Sequence, residues 1–158
     1  MSSEATTSKP NENLVRCLFE EVFARGDDKA AKEIIDPQFV LHDRELVPNP
    51  QLSGVALIKD VITSTRDFFT QDQFKVTDFT VTVEEYLAAG EDRVVTRFRV
   101  DGKLEDEPLE IRGTSISLIS DGKIMQCWSN WECGLLLKKL ELVIPPVRGK
   151  WPPPFKWK

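Results

Sequence analysis

The order of hydrophobic and polar positions divides the chain into a helical first half and a β-rich second half. Helical spacing of apolar residues predicts a first helix, whose buried stripe comprises Leu14, Val15, Leu18, Phe19, Val22 and Phe23. Gly26 predicts the end of this helix, and Asp27 or Asp28 is suited to cap a second, shorter one. A third helix is predicted to begin near Ser53.

Strand patterns dominate after residue 73. β-branched and aromatic residues predict four strands, over residues 74–88, 93–100, 109–120 and 123–132. Gly90-Glu91-Asp92 separates the first two, and Asp121-Gly122 is a strong hairpin signal before the last. A short strand over Phe39–Leu41 is predicted ahead of them, between the second and third helices.

Three helices followed by an antiparallel meander predict an α+β domain. Because three short helices cannot cover four flat strands, we expect a strongly curved, mainly antiparallel sheet that forms a cone around a hollow. Residues 13–144 are predicted to form this single domain. Residues 1–12 are predicted to be a flexible lead-in, and residues 145–158 an extended tail rich in proline and tryptophan.

Composition narrows the class of protein. The chain has 158 residues, a net charge of -5 and 41% hydrophobic residues, which favours one globular domain and argues against a nucleic-acid partner. It shows no membrane-spanning apolar run and no secretory signal, so a cytoplasmic location is expected. Cys17, Cys127 and Cys133 lack metal-ligand spacing and are expected to be reduced thiols, with no metal site.

Candidate chemistry lies on the last strand. Strict alternation places Ile124, Gln126, Trp128, Asn130 and Glu132 on one face, predicted to line the hollow. Aromatic surface beside a carboxyl group favours its neutral form, which suits proton transfer. A solvated strand end is the alternative for this carboxylate. If a bulge interrupts the alternation, the neighbouring serine and indole at positions 129 and 131 point inward instead.

The strand that begins at Arg93 has a clearer inner face. Its inward set is predicted to be Val94, Thr96, Phe98 and Val100. Arg97 and Arg99 then point outward, towards solvent or a second subunit. The parity of the next strand, around Arg112, stays open.

Several segments together resemble a known family. They are FVLHD (Phe39–Asp43), VTVEEYLAAGEDRVVTRFRV, GTSISLISDGKI and the tryptophan-rich last strand. This pattern, over about residues 12–142, resembles the SnoaL-like polyketide cyclase group of the nuclear transport factor 2-like superfamily. The resemblance implies a cone-shaped homodimer with one buried pocket per chain. It also implies a small apolar oxygenated substrate and no metal or organic cofactor. Ser129 departs from the aspartate that often follows the last-strand tryptophan in this group.

The resemblance also implies site residues. His42, Asp43 and Glu132 are the predicted catalytic groups, since imidazole and carboxylate exchange protons with a bound substrate. His42 could equally be structural, and Asp43 could cap the following loop. The residues predicted to bind substrate are Asn130, Trp128, Tyr86, Phe98 and Phe39, although Tyr86 could sit at the rim and the other aromatic side chains could be core.

These observations support three functional hypotheses. The first is a cofactor-independent cyclase or isomerase that uses general acid–base catalysis on a polyketide- or terpenoid-type molecule. The second is an epoxide or lactone hydrolase on the same fold. The third is a non-catalytic ligand-binding or assembly domain, which a tail that plugs the mouth of the cone would favour. Independently of these hypotheses, the basic tail is expected to pack over the partner subunit, and the alternative is a peptide ligand or a nucleic-acid contact.

Overall fold

A computed structural model describes residues 8–42, 51–70 and 75–132. Helices pack against one face of a single five-stranded sheet, hereafter the inner face. The helical segments are α1 (Ser8–Cys17), a π-helix (Leu18–Phe23), α2 (Asp28–Ile34) and α3 (Gly54–Thr70). The strands are β1 (Ile35–Leu41), β2 (Thr77–Ala89), β3 (Arg93–Leu104), β4 (Glu107–Ser120) and β5 (Lys123–Trp131).

The sheet has the strand order β1-β5-β4-β3-β2. β2 to β5 form an antiparallel meander, and β1 joins its edge by parallel pairing with β5. The predicted α+β architecture, with three helices on a curved and mainly antiparallel sheet, is confirmed. In the described parts of the chain, no helix is both long and apolar enough to cross a membrane.

Local sequence signals set the helix ends. Gly26 has a φ of 69° and follows the first helical segment, as predicted. Asp27 caps α2 by accepting hydrogen bonds from the backbone N–H groups of Lys29 and Ala30 at 2.9 and 3.0 Å. α1 begins at Ser8, inside the segment predicted to be a flexible lead-in. The predicted tail, residues 145–158, lies outside the described residues.

Two of the three hairpins have two left-handed residues at their turns. Asp121 and Gly122 have φ values of 51° and 70°, which confirms the predicted tight turn. The β3–β4 turn lies at Glu105 and Asp106, so β3 continues four residues beyond its predicted end. Gly102 lies within β3, where a Cβ would come 2.6 Å from Val76 Cγ1, so glycine allows this close approach.

The predicted faces of β3 are confirmed by burial. Val94, Thr96, Phe98 and Val100 are all at most 2% exposed on the inner face. Arg97 lies on the opposite, outer face, 3.2 Å from a Glu84 carboxylate oxygen. β3 therefore separates a packed interior from a charged exterior.

A bulge reverses the predicted faces of most of β5. Leu118 pairs with Gln126, whereas Ile119 pairs with Ile124, which leaves Met125 without a partner in β4. One extra residue exchanges the faces of everything that follows it. Beyond Met125 the inner face therefore carries Cys127, Ser129 and Trp131, and the outer face carries Gln126, Trp128 and Asn130. The alternative with a bulge is correct, and the predicted inward position of Trp128 and Asn130 is wrong.

Candidate functional site

A cavity lies between the helices and the inner face of the sheet. It offers about 70 Å³ to the centres of water-sized molecules, enough for several waters or part of a small ligand. The π-helix contributes Leu18, Phe19 and Phe23, and α3 contributes Ile62, Thr65 and Arg66. Arg66 is the one charged side chain among the described lining residues.

Aromatic rings form one wall of the cavity. The ring centroids of Phe19 and Phe98 are 5.5 Å apart, and Trp131 meets the Phe98 ring edge-on at 5.0 Å. Gly113 lies between Phe98 and Trp131 in the cross-strand row, where a Cβ would come within 2.7 Å of the Phe98 ring atom Cε2. Glycine at this position therefore makes room for the ring that forms the wall.

Beside the aromatic wall, four hydroxyl-bearing residues form a row across the inner face. The direct cross-strand pairs are Tyr86 with Thr96, Thr96 with Ser115, and Ser115 with Ser129. A bulge in β2, between the Val83 and Glu85 pairs, places Tyr86 in line with the other three. We call these four residues the hydroxyl row. Ser115 and Ser129 line the cavity.

Much of the hydroxyl row is buried without hydrogen bonds. Thr96 and Ser115 are 0% and 2% exposed. Within the described residues, no hydrogen-bond partner reaches Thr96 Oγ1, Ser115 Oγ, the Tyr86 hydroxyl or, in the adjacent row, Trp131 Nε1. An unpaired buried donor costs about 1–3 kcal/mol. Ser115 and Trp131 therefore carry unused hydrogen-bonding capacity beside the cavity that they line.

The predicted catalytic histidine lies on the outer face. The His42 ring stacks on the Trp128 indole at 4.5 Å with 3° between the planes, and its Nε2 is 2.9 Å from Gln126 Oε1. β1 pairs in parallel with β5, so His42, which follows β1, lies beside the side chains of β5 that point to the outer face. The expected inward orientation of His42 is therefore corrected, and so is the role of Trp128 as a wall of the cavity.

The other predicted site residues are dispersed. Glu132 is exposed at the end of β5, and Asn130 is exposed on the outer face. Phe39 is fully buried in the core and is not among the cavity-lining residues, whereas Phe98 does line the cavity. Asp43 lies outside the described residues, so its catalytic role stays a prediction.

Most of the described chain matches a known protein family. A family model for the SnoaL-like domain matches residues 15–127, from the last turn of α1 into β5. The chain belongs to the SnoaL-like domain family. The resemblance inferred from the sequence is confirmed.

Solved structures agree with the SnoaL-like assignment. A loop-truncation variant of IdmH is 26% identical, with a TM-score of 0.62 over 83% of this chain and 98% of that one. Wild-type IdmH, a candidate polyketide cyclase from Streptomyces antibioticus, is 24% identical, with a TM-score of 0.60 over 84% and 99%. AclR from Streptomyces galilaeus, a candidate hydroxylase, is 17% identical, with a TM-score of 0.61 over 86% and 98%. No curated protein sequence matches the chain at a significant level.

Sequence reasoning missed Ser115 as a site residue of this SnoaL-like domain. β4 carries apolar side chains on both faces, Leu109 and Ile111 inward and Ile116 and Leu118 outward, so alternation alone does not identify the inner face. The predicted inner face of β3 could have identified Ser115, because the β3–β4 register pairs it with the inward-facing Thr96. Among the described residues, no cluster of three or more His, Cys, Asp or Glu side chains could hold a metal ion.

Tyr86 lies at the end of the hydroxyl row under a cation. The Arg16 guanidinium lies 4.4 Å from the centroid of the Tyr86 ring, and Arg16 also pairs with Glu20 at 3.2 Å. Burial raises the pKa of the Tyr86 hydroxyl to about 12; the Glu20 carboxylate adds to the increase, and Arg16 opposes it. Tyr86 therefore stays a neutral hydroxyl at physiological pH.

We expect the single tyrosine of the chain to titrate near pH 12 when folded and near its ordinary value of 10.0 when unfolded. Between these values the folded chain retains a proton that the unfolded chain loses, so stability falls as the pH rises through this window. Near-ultraviolet absorbance of the phenolate, with and without urea, measures both pKa values. Glu20→Gln should lower the folded value and Arg16→Ala should raise it. A folded tyrosine that titrates at its ordinary pKa would contradict the described burial.

Proposed function

We propose that this SnoaL-like domain is a cofactor-independent cyclase or isomerase that acts on a small, mostly apolar, oxygenated molecule bound in the cavity. The observation that carries the proposal is the combination of an aromatic wall with buried hydrogen-bonding groups, at Ser115 and Trp131, that have no partner among the described residues. Apolar walls with a few polar groups are typical of small-molecule sites. The candidate polyketide cyclases with the same fold support the reaction class.

The cavity suits chemistry that builds negative charge on a substrate oxygen. When a base removes a proton from the carbon beside a carbonyl, the electron pair moves onto the carbonyl oxygen, and the new enolate carbon can then attack a second carbonyl. Hydrogen bonds donated by Ser115 Oγ and Trp131 Nε1 would stabilise that oxyanion in a site shielded from water. Arg66 adds positive charge at the same cavity. Asp43 is retained as the proposed base.

The two tryptophans of β5 can report where a ligand binds, because they lie on opposite faces of the sheet. Trp131 lines the cavity, whereas Trp128 stacks on His42 on the outer face. Titration with 1-naphthol is expected to shift the indole N–H resonance of Trp131 and to leave that of Trp128 in place. Two-dimensional NMR measures both signals in one sample, with assignments from Trp131→Phe and Trp128→Phe. A shift confined to Trp128, or no shift at all, would exclude ligand binding in this cavity.

A binding-only role is the second candidate. It is favoured by the positions of His42 and Glu132, which lie on the outer face and at the exposed end of β5 instead of in the cavity. Turnover in Asp43→Asn, His42→Ala and Glu132→Gln variants separates the two roles. A catalytic Asp43 lowers turnover by about 10²–10⁴-fold, with the other two near wild type. Oxygen uptake from isotopically labelled water would instead identify a hydrolase, because cyclisation incorporates none.

We also propose that the outer face of the sheet pairs with a second copy of the chain. A row of apolar side chains, the outer apolar row, crosses it: Leu87, Val95, Ile116 and Trp128. Leu87 and Ile116 are 51% and 40% exposed, and neighbouring Val40 is 43% exposed. Burying such a patch against another subunit would be favourable.

Charge on the outer face is self-complementary, which favours a second copy as the occupant. Arg97 lies beside Glu84 and Glu85, and Arg99 beside Asp101, so both signs flank one side of the outer apolar row. A two-fold axis that crosses the row parallel to the strands would place the acidic groups of one copy near the arginines of the other. The homodimer would act in the cytoplasm, where reducing conditions keep thiols such as that of Cys17 reduced.

A further inference from the structure

The hydroxyl row places polar groups at the regular spacing of a β-sheet. Neighbouring strands lie about 4.8 Å apart, and directly opposed side chains have similar separations at Cβ. Ser115 and Ser129 are such a pair, and both line the cavity. Their hydroxyl groups are therefore about one strand spacing apart, on the wall that a ligand would touch.

Ring chemistry offers a natural match to this spacing. In a six-membered carbon ring, oxygens on atoms 1 and 3 are separated by about the distance between adjacent strands. Oxygens on neighbouring atoms are closer together, and oxygens on opposite atoms of one ring, or on atoms 1 and 5 of naphthalene, are further apart. A hydroxyl group both donates and accepts hydrogen bonds, so serine can serve a carbonyl, enol or phenol oxygen.

We propose, on the basis of the proposed function, that the hydroxyl row selects ligands with two oxygens on atoms 1 and 3 of one ring. Ser115 binds one oxygen and Ser129 the other, while the remaining apolar part of the ligand packs against Phe19 and Phe98. The buried Ser115 Oγ carries the inference, because no group among the described residues hydrogen-bonds to it and a ligand oxygen in the cavity can supply that partner. The N–H of Trp131 adds a donor in the adjacent row.

Isomeric probes separate this selectivity from general affinity for aromatic molecules. 1,3-Dihydroxynaphthalene and 1,5-dihydroxynaphthalene have the same size and number of hydroxyls, but only the first has both oxygens on one ring. We expect the wild-type protein to bind the 1,3 isomer about tenfold more tightly than the 1,5 isomer or 1-naphthol. Isothermal titration calorimetry gives the three dissociation constants.

Alanine substitutions of the serines test whether the hydroxyl row causes the preference for the 1,3 isomer. Ser115→Ala and, independently, Ser129→Ala are expected to weaken binding of the 1,3 isomer about tenfold and to remove the preference. Ser117→Ala is the matched control, because Ser117 is fully buried on the same face of β4 but is not a lining residue. Its hydroxyl donates to Cys127 Sγ at 3.9 Å. This variant should preserve the preference. Thermal unfolding checks that each variant is folded.

The outcomes distinguish this inference from the proposed function. Equal affinity for the two isomers, or a preference that survives in both Ser115→Ala and Ser129→Ala, overturns the inference and leaves the cavity as a ligand site. If none of the three naphthalenes binds, the proposed function is overturned together with it.

Discussion

Replacing Ile116 with aspartate is expected to convert the homodimer into a monomer. Ile116 lies within the outer apolar row, flanked by Val95 and Trp128, and is 40% exposed in the single chain. A carboxylate buried at that position in a two-fold interface would lie close to its symmetry mate and lack a compensating cation. The dimer should weaken by about a hundredfold or more, since a charge left unpaired in an interface costs several kcal/mol. Sedimentation velocity over a range of concentrations measures the change.

The control for Ile116→Asp carries the same added charge elsewhere. Thr63 is exposed on α3, on the opposite side of the sheet from the outer apolar row. Thr63→Asp should leave the dimer intact. A wild-type chain that sediments as a monomer at high concentration, or an Ile116→Asp variant that remains a dimer, would contradict the proposed interface. Cavity binding of 1-naphthol should persist in the monomer, because its lining is formed within one chain.

Replacing Gly113 with alanine is expected to destabilise the fold by about 3 kcal/mol, the upper end of the usual cost of overpacking. The added methyl group would come within 2.7 Å of the Phe98 ring and 2.9 Å of the backbone oxygen of Asn130. The backbone oxygen cannot move without disturbing the β4–β5 ladder, and the ring is held between Phe19 and Trp131. For a domain of this size, such a loss lowers the melting temperature by about 6–12 °C. Differential scanning calorimetry measures it.

Two further variants show whether the steric contact is the cause. At Gly90, with a φ of 75°, an added Cβ meets nothing within 4 Å, so Gly90→Ala has only a conformational cost of about 1 kcal/mol. Phe98→Leu should recover part of the stability lost in Gly113→Ala, and a double-mutant cycle measures this coupling. Additive effects of the two substitutions would show that Gly113 does not make room for Phe98.

Local signals predicted the features that depend on neighbouring residues along the chain. Gly26 and Asp27 end one helical segment and begin the next through a left-handed φ and a side-chain cap. Asp121-Gly122 makes a tight turn for similar reasons. The inner face of β3 follows from two-residue alternation that no bulge interrupts after Arg93.

Prediction of the cavity-lining residues required more than local sequence signals. One unpaired residue, Met125, exchanges the faces of Trp128 and Trp131, and it is visible only in the pairing of β5 with β4. The alternation of side chains along a strand does not reveal a one-residue bulge, because the sequence on each side of the bulge has the pattern of a regular strand. The predicted inward position of Glu132 depended on that alternation, whereas His42 was predicted from the family resemblance.

The sequence by itself determined the fold class, the helix boundary at Gly26 and Asp27, the β4–β5 turn and the family, because these depend on residue types and short-range spacing. Only the tertiary structure decided which side chains face the cavity. The register of four strands and two bulges brings Tyr86, Thr96, Ser115 and Ser129 into one row. Hydrogen-bond register is a long-range property, set by packing of the whole sheet against the helices, and no single segment encodes it.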